Sequence, residues 1–385
     1  MTTMLAIKNA TLVMRDHLIP EAVLFIEDGI ITGFGEMRNT PIPEGCQIID
    51  AKGLYVGPGL IDIHTHFGGP HNFWENPIGA ARFHLENGTT TVLATPGYRH
   101  SVEEYVQIGQ LIQEAMASPG GENIGGAYME GPYINPNFGA NRHLNPWHGK
   151  GVEPEDFEAI VEANGEAARV WTIDPEKPDI LPFVLAAKKK NPNVRFAVGH
   201  CAATPQQIEA LMPYGLCIGT HHTNATGTIE NYPECRGVCV DEGVNYNNDI
   251  YAEIICDSKG IHVDPYMQRL VRKIKGDDRI ILISDRDYVP HIPAPPGYEG
   301  VDDIYFDEMG EISGAKLTSA IACRNWMKHT GASLVEAFKV ASYNPARAVG
   351  FYDRGEIREG LKADLVITDH KMNISTVILN GKVVK

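Results

Sequence analysis

Eight short apolar runs alternate with amphipathic segments through the middle of this 385-residue sequence. Each run is rich in Val, Ile, Leu or aromatic residues, as buried strands are. The predicted strands span residues 55–66, 89–96, 125–130, 168–174, 194–200, 215–221, 251–257 and 279–285. Strands that alternate with helices form a parallel sheet, either open and doubly wound or closed, and eight strands are the number that closes a barrel.

The ends of these runs favour the closed form. Seven of the eight finish on a residue that can bind a metal ion or carry a proton: His66, Glu130, Asp174, His200, His221, Asp257 and Asp285. One such strand end is usually structural, but in an α/β barrel all carboxyl ends meet on the face where active sites lie. We therefore predict an α/β fold, a (β/α)8 TIM-like barrel with an active site on that face.

The two ends of the sequence predict a second, smaller unit. Residues 4–54 and those after about 350 contain short β-rich runs with turns, and Asn380-Gly381 between two such runs is a strong hairpin signal. We predict a small β-sandwich domain formed by both termini, residues 1–55 and 350–385, with the barrel of residues 56–349 inserted between them.

Charge and hydropathy exclude some partners. With 33 basic and 49 acidic side chains the net charge is 33 − 49 = −16, whereas nucleic-acid binding needs clustered positive charge. No apolar stretch approaches the ~20 residues that span a bilayer, and the start of the sequence shows no secretory signal. Seven scattered cysteines are typical of reduced thiols. We expect no nucleic-acid or membrane partner and a cytoplasmic location.

The first predicted strand ends in a possible metal-binding pair. In Ile61-Asp-Ile-His64-Thr-His66 the two histidines are two residues apart, so both imidazoles point to one face of the strand. Two neutral imidazoles on one face can bind one metal ion. A His-x-His pair alone is a weak signal, but its position after Pro58-Gly59 and at a barrel strand end strengthens the interpretation.

Longer motifs resemble one known family. Pro58-Gly-Leu-Ile-Asp-Ile-His-Thr-His66 resembles the first-strand signature of the amidohydrolase superfamily of metal-dependent hydrolases. Met129-Glu-Gly-Pro-Tyr-Ile-Asn-Pro136 is similar to its N-acetylglucosamine-6-phosphate deacetylase branch, which has a glutamate where cyclic amidohydrolases commonly have a carboxylated lysine. Further matches follow in the family's order, and they extend the resemblance over nearly the whole chain: Gly199-His200, Thr220-His221, Asn224-Ala225, Gly260-Ile-His262, Ser284-Asp285, 341–350 and 355–366.

The resemblance implies a metal centre. Glu130, His200 and His221 would bind the principal ion, and these ligand types suit Zn²⁺ or Fe²⁺. His64 and His66 would bind a second ion, with Glu130 bridging, so the expected cofactor is one or two divalent ions. The alternative for the pair is a vestigial site that stays empty.

The resemblance also implies the acid–base residue. Asp285 would lie at the metal, accept a proton from the activated water and return it to the leaving amine. The alternative for Asp285 is a helix N-cap after the last strand.

The resemblance also implies substrate contacts, but in these segments the sequence departs from the family's motifs. His262 would polarise the acetamide carbonyl, and Asn224 and Ala225 would hold the sugar phosphate, although the family's Asn-Ala-Met is Asn-Ala-Thr here. The family's Gly-Ala-His is two residues longer and ends at His143, which is a candidate contact. Arg236 is the candidate for an arginine that reaches the phosphate, often across a dimer interface. Arg286 either meets an anionic substrate or forms a surface ion pair.

We therefore predict a cytoplasmic, homodimeric, metal-dependent deacetylase of amino-sugar and carbohydrate metabolism. It would hydrolyse the acetamide of an N-acetylated amino sugar, with N-acetylglucosamine-6-phosphate as the first choice and glucosamine-6-phosphate and acetate as products. One alternative is an amidohydrolase for another N-acyl or cyclic amide, such as another N-acetylhexosamine or an N-acyl amino acid. The other is an inactive scaffold paralogue, but all six candidate metal and acid–base residues are present.

Overall fold

The computed structural model describes residues 4–227 and 230–385, and its centre is a parallel sheet of eight strands with helices outside. The strands β1 to β8 are Leu60–Thr65, Thr89–Ala94, Ile124–Glu130, Ala168–Ile173, Arg195–Val198, Leu216–Gly219, Tyr251–Ile255 and Ile280–Ile283. The helices that follow them, α1 to α8, are Pro77–Glu86, Val102–Met116, Pro154–Asn164, Ile180–Lys190, Pro205–Leu211, Val240–Tyr246, Pro265–Lys275 and Ser319–Thr330. The predicted (β/α)8 barrel is confirmed.

Local sequence explains where these elements form. The residues of β1, β2 and β8 are all buried, as expected for strands covered by helices outside and by packed side chains inside. Helix α2 begins with a capping box between Ser101 and Glu104, and α5 with one between Thr204 and Gln207. Across the described part of the chain, no helix is both long and apolar enough to cross a membrane.

Strands β1 and β8 lie at the two ends of the sheet order, and hydrogen bonds around the strand-end residues join them. The Asp62 side chain, in β1, accepts the backbone N–H of Ser284 at 3.3 Å. The Asp285 N–H donates to the His64 carbonyl at 3.0 Å, and the His66 N–H donates to the Arg286 carbonyl at 3.0 Å. We call this junction the barrel seam. It lies where the two predicted metal-binding histidines meet the predicted acid–base residue.

A second sheet is built from both termini. Its eight strands are Leu5–Val13, Leu18–Glu27, Ile30–Glu36, Gln47–Asp50, Tyr55–Pro58, Leu365–Thr368, Ile374–Leu379 and Lys382–Val383. Tyr55–Pro58 pairs antiparallel with Leu365–Thr368 and so links the two ends of the chain. The sheet encloses its own apolar core, and the Ile31 N–H donates to the Leu361 carbonyl where its ends approach. Both termini thus contribute to one sheet, while the β-sandwich domain of residues 1–55 and 350–385 and the barrel domain of residues 56–349 stay predictions.

The first predicted run, residues 55–66, is two strands rather than one. The chain leaves the terminal sheet after Pro58 and enters β1 at Leu60, with Gly59 between them. The Gly59 N–H donates to the Asp364 carbonyl at 2.7 Å. A Cβ at Gly59 would lie 2.0 Å from the Thr90 Oγ1, so the crossing packs too closely for any side chain. The apolar pattern of residues 55–66 is continuous, so it does not show that the chain passes from one sheet to the other here.

Candidate metal centre

A cavity of about 680 Å³ opens where the barrel strands end. Its lining includes eight of the residues predicted from the sequence: His66, Glu130, His200, His221, Asn224, Ala225, His262 and Asp285. His64 is fully buried beneath them, with a side-chain exposure of 0%. Five of the seven predicted strand-end residues therefore lie together at this cavity.

Three of the candidate ligands share an unusual backbone conformation. His200, His221 and Asp285 have φ angles of 47°, 28° and 41°, in the left-handed region that residues other than glycine rarely adopt. Each lies two residues beyond the end of its strand, β5, β6 or β8. Such conformations persist where surrounding contacts hold them, and they are concentrated at functional sites. The sharp turns place these three side chains at the floor of the cavity.

Glu130, His200 and His221 form the first group of candidate metal ligands, which we call the principal subsite. Glu130 Oε1 lies 2.9 Å from His200 Nε2 and 3.2 Å from His221 Nε2. The two Nε2 atoms are 2.9 Å apart. Burial alone would raise the pKa of Glu130, but the surrounding imidazoles hold that pKa well below its usual range, so the side chain is a carboxylate.

His64, His66 and Asp285 form the second group, the second subsite. Asp285 Oδ1 lies 3.4 Å from His66 Nε2 and 3.7 Å from His64 Nε2. Glu130 lies between the subsites, because its Oε1 is 3.5 Å from His64 Nε2 and its Oε2 is 3.4 Å from His66 Nε2. One carboxylate therefore contacts all four imidazoles.

The imidazole rings are oriented as metal ligands. Three Nδ1 atoms face oxygen acceptors: the Thr95 carbonyl for His66 at 3.0 Å, the Asn224 carbonyl for His221 at 3.2 Å, and Glu253 Oε2 for His64 at 3.2 Å. Because a carbonyl only accepts hydrogen bonds, Nδ1 carries the proton, and the Nε2 of a neutral ring keeps its lone pair for a metal. His64 Nε2 is buried without a hydrogen-bond partner among the described residues. This donor set fits one or two divalent cations.

His262 approaches the cavity from the loop after β7. Its Nδ1 lies 3.1 Å from Asp257 Oδ2, while its Nε2 is buried and has no hydrogen-bond partner in the described structure. Burial would raise the pKa of Asp257, but hydrogen bonds from His262 and from backbone N–H groups lower it to about 2. The Asn224 side chain donates to the His262 carbonyl at 2.7 Å. The charged Asp257 thus fixes the ring with Nε2 free to contact a substrate.

Two predicted substrate contacts lie outside the cavity lining. Arg236 is on the surface, with 70% of its side chain exposed, and pairs with Glu242 at 2.5 Å. His143 is exposed in a short 3-10 turn, beside a separate surface pocket that includes Asn137 and His148. Within one chain, the structure does not bring either residue to the metal centre.

Two other polar residues near the strand ends also point elsewhere. Arg286 donates to the carbonyls of Lys316 and Leu317 and stacks on Phe83, so it neither lines the cavity nor forms an ion pair with another described residue. Asp174 is buried, and burial raises its pKa to about 7. It lies apart from the cavity, in a group with Glu176 and Cys201.

The sequence predictions missed several polar residues of the site, among them Arg99, Asp287, Ser313 and Glu253. Arg99, Asp287 and Ser313 line the cavity, and the Ser313 hydroxyl donates to Asp287 at 2.9 Å. Glu253 is fully buried on β7 and contacts His64. Only Glu253 had a visible signal, because it is a lone carboxylate in the apolar run Tyr-Ala-Glu-Ile-Ile, residues 251–255.

Comparisons with known proteins agree with this geometry. A model described as the amidohydrolase family matches residues 275–384. The N-acetylglucosamine-6-phosphate deacetylase of Lysinibacillus sphaericus is 25% identical, over 98% of this chain and 97% of that protein. The N-acetylgalactosamine-6-phosphate deacetylase of Escherichia coli O157:H7 is also 25% identical, over 96% and 97%.

The fold has solved counterparts. The crystal structure of N-acetylglucosamine-6-phosphate deacetylase from Pasteurella multocida superposes with a TM-score of 0.84 at 23% identity, and the match covers 99% of each chain. The resemblance to the amidohydrolase superfamily and its deacetylase branch is confirmed. The prediction of a metal-dependent hydrolase is confirmed as well.

Proposed function

We propose that the protein is a zinc- or iron-dependent deacetylase of amino sugars, with N-acetylglucosamine-6-phosphate as substrate and glucosamine-6-phosphate and acetate as products. The observation that carries this proposal is the single carboxylate, Glu130, between two histidine pairs at the floor of the cavity. Relatives named for two different N-acetylhexosamine 6-phosphates match the chain over nearly its full length. The shared element of those names is the acetamide on a phosphorylated sugar.

Glu130, His200 and His221 would hold the principal ion, and His64, His66 and Asp285 the second. A divalent ion bound there lowers the pKa of a water molecule and polarises the acetamide carbonyl. Asp285 supplies the proton transfers. Burial would raise its pKa, but His66, His64 and His221 keep the pKa below its usual range, so the group is a base at neutral pH.

In the proposed reaction Asp285 accepts the proton of water as the new C–O bond forms. It then delivers that proton to the amine nitrogen as the C–N bond breaks, because an amine leaves poorly as an anion. With Nδ1 held by Asp257, His262 would donate a hydrogen bond from Nε2–H to the acetamide oxygen, where negative charge develops. Asn224 and Ala225 line the cavity beside it and would contact the sugar.

The charge of the cavity supports a second candidate, an amidohydrolase for an unphosphorylated N-acyl substrate or a cyclic amide. Outside the metal centre the lining carries three carboxylates, Glu104, Asp287 and Glu311, against two guanidinium groups, Arg99 and Arg142. Arg142 already pairs with Glu311. This lining leaves Arg99 as the main cationic contact for a phosphate within one chain.

An acetate-release assay separates the two candidates. We expect kcat/KM for N-acetylglucosamine-6-phosphate to exceed that for N-acetylglucosamine by at least about a hundredfold, since phosphate contacts are charge-assisted hydrogen bonds worth a few kcal/mol together. N-acetylgalactosamine and its 6-phosphate complete the panel, and metal content is measured on the same sample. Equal rates with and without phosphate would favour the second candidate.

We further propose a homodimer in which Arg236 reaches the partner's cavity. The exposed face of α7 carries Tyr266, Leu270 and Ile274 at a spacing of four residues, with exposures of 72%, 39% and 46%. Tyr232, near Arg236, is also 72% exposed. Contiguous exposed apolar side chains of this kind mark interaction surfaces.

Replacing Arg236 with alanine tests this proposal. The KM for the phosphorylated substrate is expected to rise by about tenfold to a hundredfold, while the rate with an unphosphorylated analogue stays the same, because only the phosphate would meet the guanidinium. Arg38→Ala is the matched control, since Arg38 is similarly exposed, at 78%, on the terminal sheet. A monomer in light scattering, or an unchanged KM, would contradict the proposal.

A cytoplasmic location completes the proposal. The seven cysteines are all free thiols in the structure, which is typical of a reducing compartment.

A further inference from the structure

Glu253 is an acidic residue in an apolar place. It lies in the middle of β7 between Ala252 and Ile254, and its side chain is 0% exposed. Burying a carboxylate is unfavourable unless nearby donors or positive charge compensate it. The proposed reaction assigns Glu253 no role.

The contacts of Glu253 lead to both subsites of the metal centre. Its Oε2 accepts a hydrogen bond from His64 Nδ1 at 3.2 Å and another from the backbone N–H of His221 at 3.1 Å. Its Oε1 has no hydrogen-bond partner among the residues that the structure describes. A single oxygen therefore orients a side chain of the second subsite and the strained backbone of a ligand in the principal subsite.

The two contacts are not equivalent. His221 is also held by the bond from its Nδ1 to the Asn224 carbonyl, which fixes its ring independently of Glu253. Among the described residues, His64 Nδ1 has Glu253 alone as a hydrogen-bond partner. A carboxylate that accepts from Nδ1 fixes the tautomer and makes Nε2 a stronger metal ligand. A cation at Nε2 in turn strengthens Nδ1 as a donor and compensates the buried charge of Glu253.

We propose that Glu253 is a positioning residue that turns the His64, His66 and Asp285 group into a second metal site of high affinity. This inference rests on the proposed metal-dependent function and adds to it the occupancy of the second subsite. It also distinguishes that subsite from a vestigial one, because Glu253 Oε2 holds His64 Nδ1 and leaves the buried His64 Nε2 directed at the subsite.

The test is zinc binding to the full chain, freed of metal by dialysis and titrated with Zn²⁺ against a competing chelator. The wild type is expected to bind two ions per chain. Glu253→Gln keeps an acceptor oxygen but removes the charge. It is expected to weaken the second ion by about tenfold to a hundredfold and to leave the first within about threefold.

Asp364→Asn is the matched control. Asp364 is a buried carboxylate, 5% exposed, that accepts the Asn380 N–H in the terminal sheet. The substitution is the same carboxylate-to-amide change, far from the metal centre, and both zinc affinities are expected to remain those of the wild type.

The possible outcomes distinguish a failure of this inference from a failure of the proposed deacetylase function. Two ions bound by Glu253→Gln with wild-type affinities would overturn it, even if the melting temperature falls, because that pattern shows a purely structural role. A wild type that binds only one ion would overturn it and leave the deacetylase proposal standing. A wild type that binds no divalent ion would defeat the deacetylase proposal itself. If Glu253→Gln fails to fold, Glu253→Asp, which keeps the charge but shortens its reach, must show the same selective loss.

Discussion

Replacing Asp285 with asparagine is expected to lower kcat for acetate release by about a thousandfold, within the range that general acid–base groups contribute. An amide at this position cannot accept a proton from water or return one to the amine. Asp285 lies within 3.4 Å of His66 and 3.7 Å of His64, so the loss of its charge also affects the second subsite. Metal content therefore has to be measured on the same preparation as the turnover at saturating substrate.

The neighbouring Asp287→Asn provides the control for the Asp285 variant. Asp287 is also buried and lines the same cavity, but it belongs to neither subsite. Its replacement is expected to change kcat by less than tenfold, since only a substrate contact would be affected. If Asp285→Asn kept its metal and turned over within threefold of the wild type, Asp285 would not be the acid–base residue.

Glu130→Gln is expected to remove the metal more completely than any other single substitution. Glu130 contacts all four imidazoles, at distances from 2.9 to 3.5 Å, so both subsites would share its carboxylate. A neutral amide leaves the cation without that charge. The loss should exceed the tenfold to hundredfold typical of residues that only orient metal ligands. We expect dialysed Glu130→Gln to retain little zinc and to show no measurable acetate release.

Glu176→Gln is the corresponding control for metal content. Asp174, Glu176 and Cys201 also bring their ligand atoms within 4.8 Å of one another. Two of their carboxylate oxygens, however, already accept backbone N–H groups, from Glu176 at 2.8 Å and Ala202 at 2.8 Å. Zinc content equal to that of the wild type is expected. A lower zinc content in this variant, together with full zinc in Glu130→Gln, would mean that the metal binds at Asp174, Glu176 and Cys201 and not at Glu130.

Much of the site could be predicted from the sequence because the carboxyl ends of parallel barrel strands lie on one face. His200, His221 and Asp285 each follow a buried apolar run, and the barrel brings them together although they are up to 85 positions apart in sequence. The His64–His66 spacing places both imidazoles near Glu130, as alternation along a strand requires.

Other features depended on contacts that hydrophobic pattern does not encode. The break at Gly59 reflects the close approach of Thr90, a residue of another strand. Asp174 ends its strand like the ligands do, yet its Oδ1 accepts the Glu176 N–H and its side chain stays away from the cavity. Arg236 would lie near a cavity only in the proposed dimer, and a single sequence does not show such an interface.

The barrel seam gives metal binding a part in folding. Asp62 and Ser284, which meet there, are 222 residues apart in sequence. Contacts between such distant residues have the largest entropic cost of loop closure, so we expect them to form late in folding. A cation in the proposed second subsite, between His64 and His66 on one side and Asp285 on the other, would bind only after both sides have met. Its binding free energy therefore adds to the stability of the closed barrel. Metal uptake at the proposed second subsite would therefore stabilise this junction together with the active site.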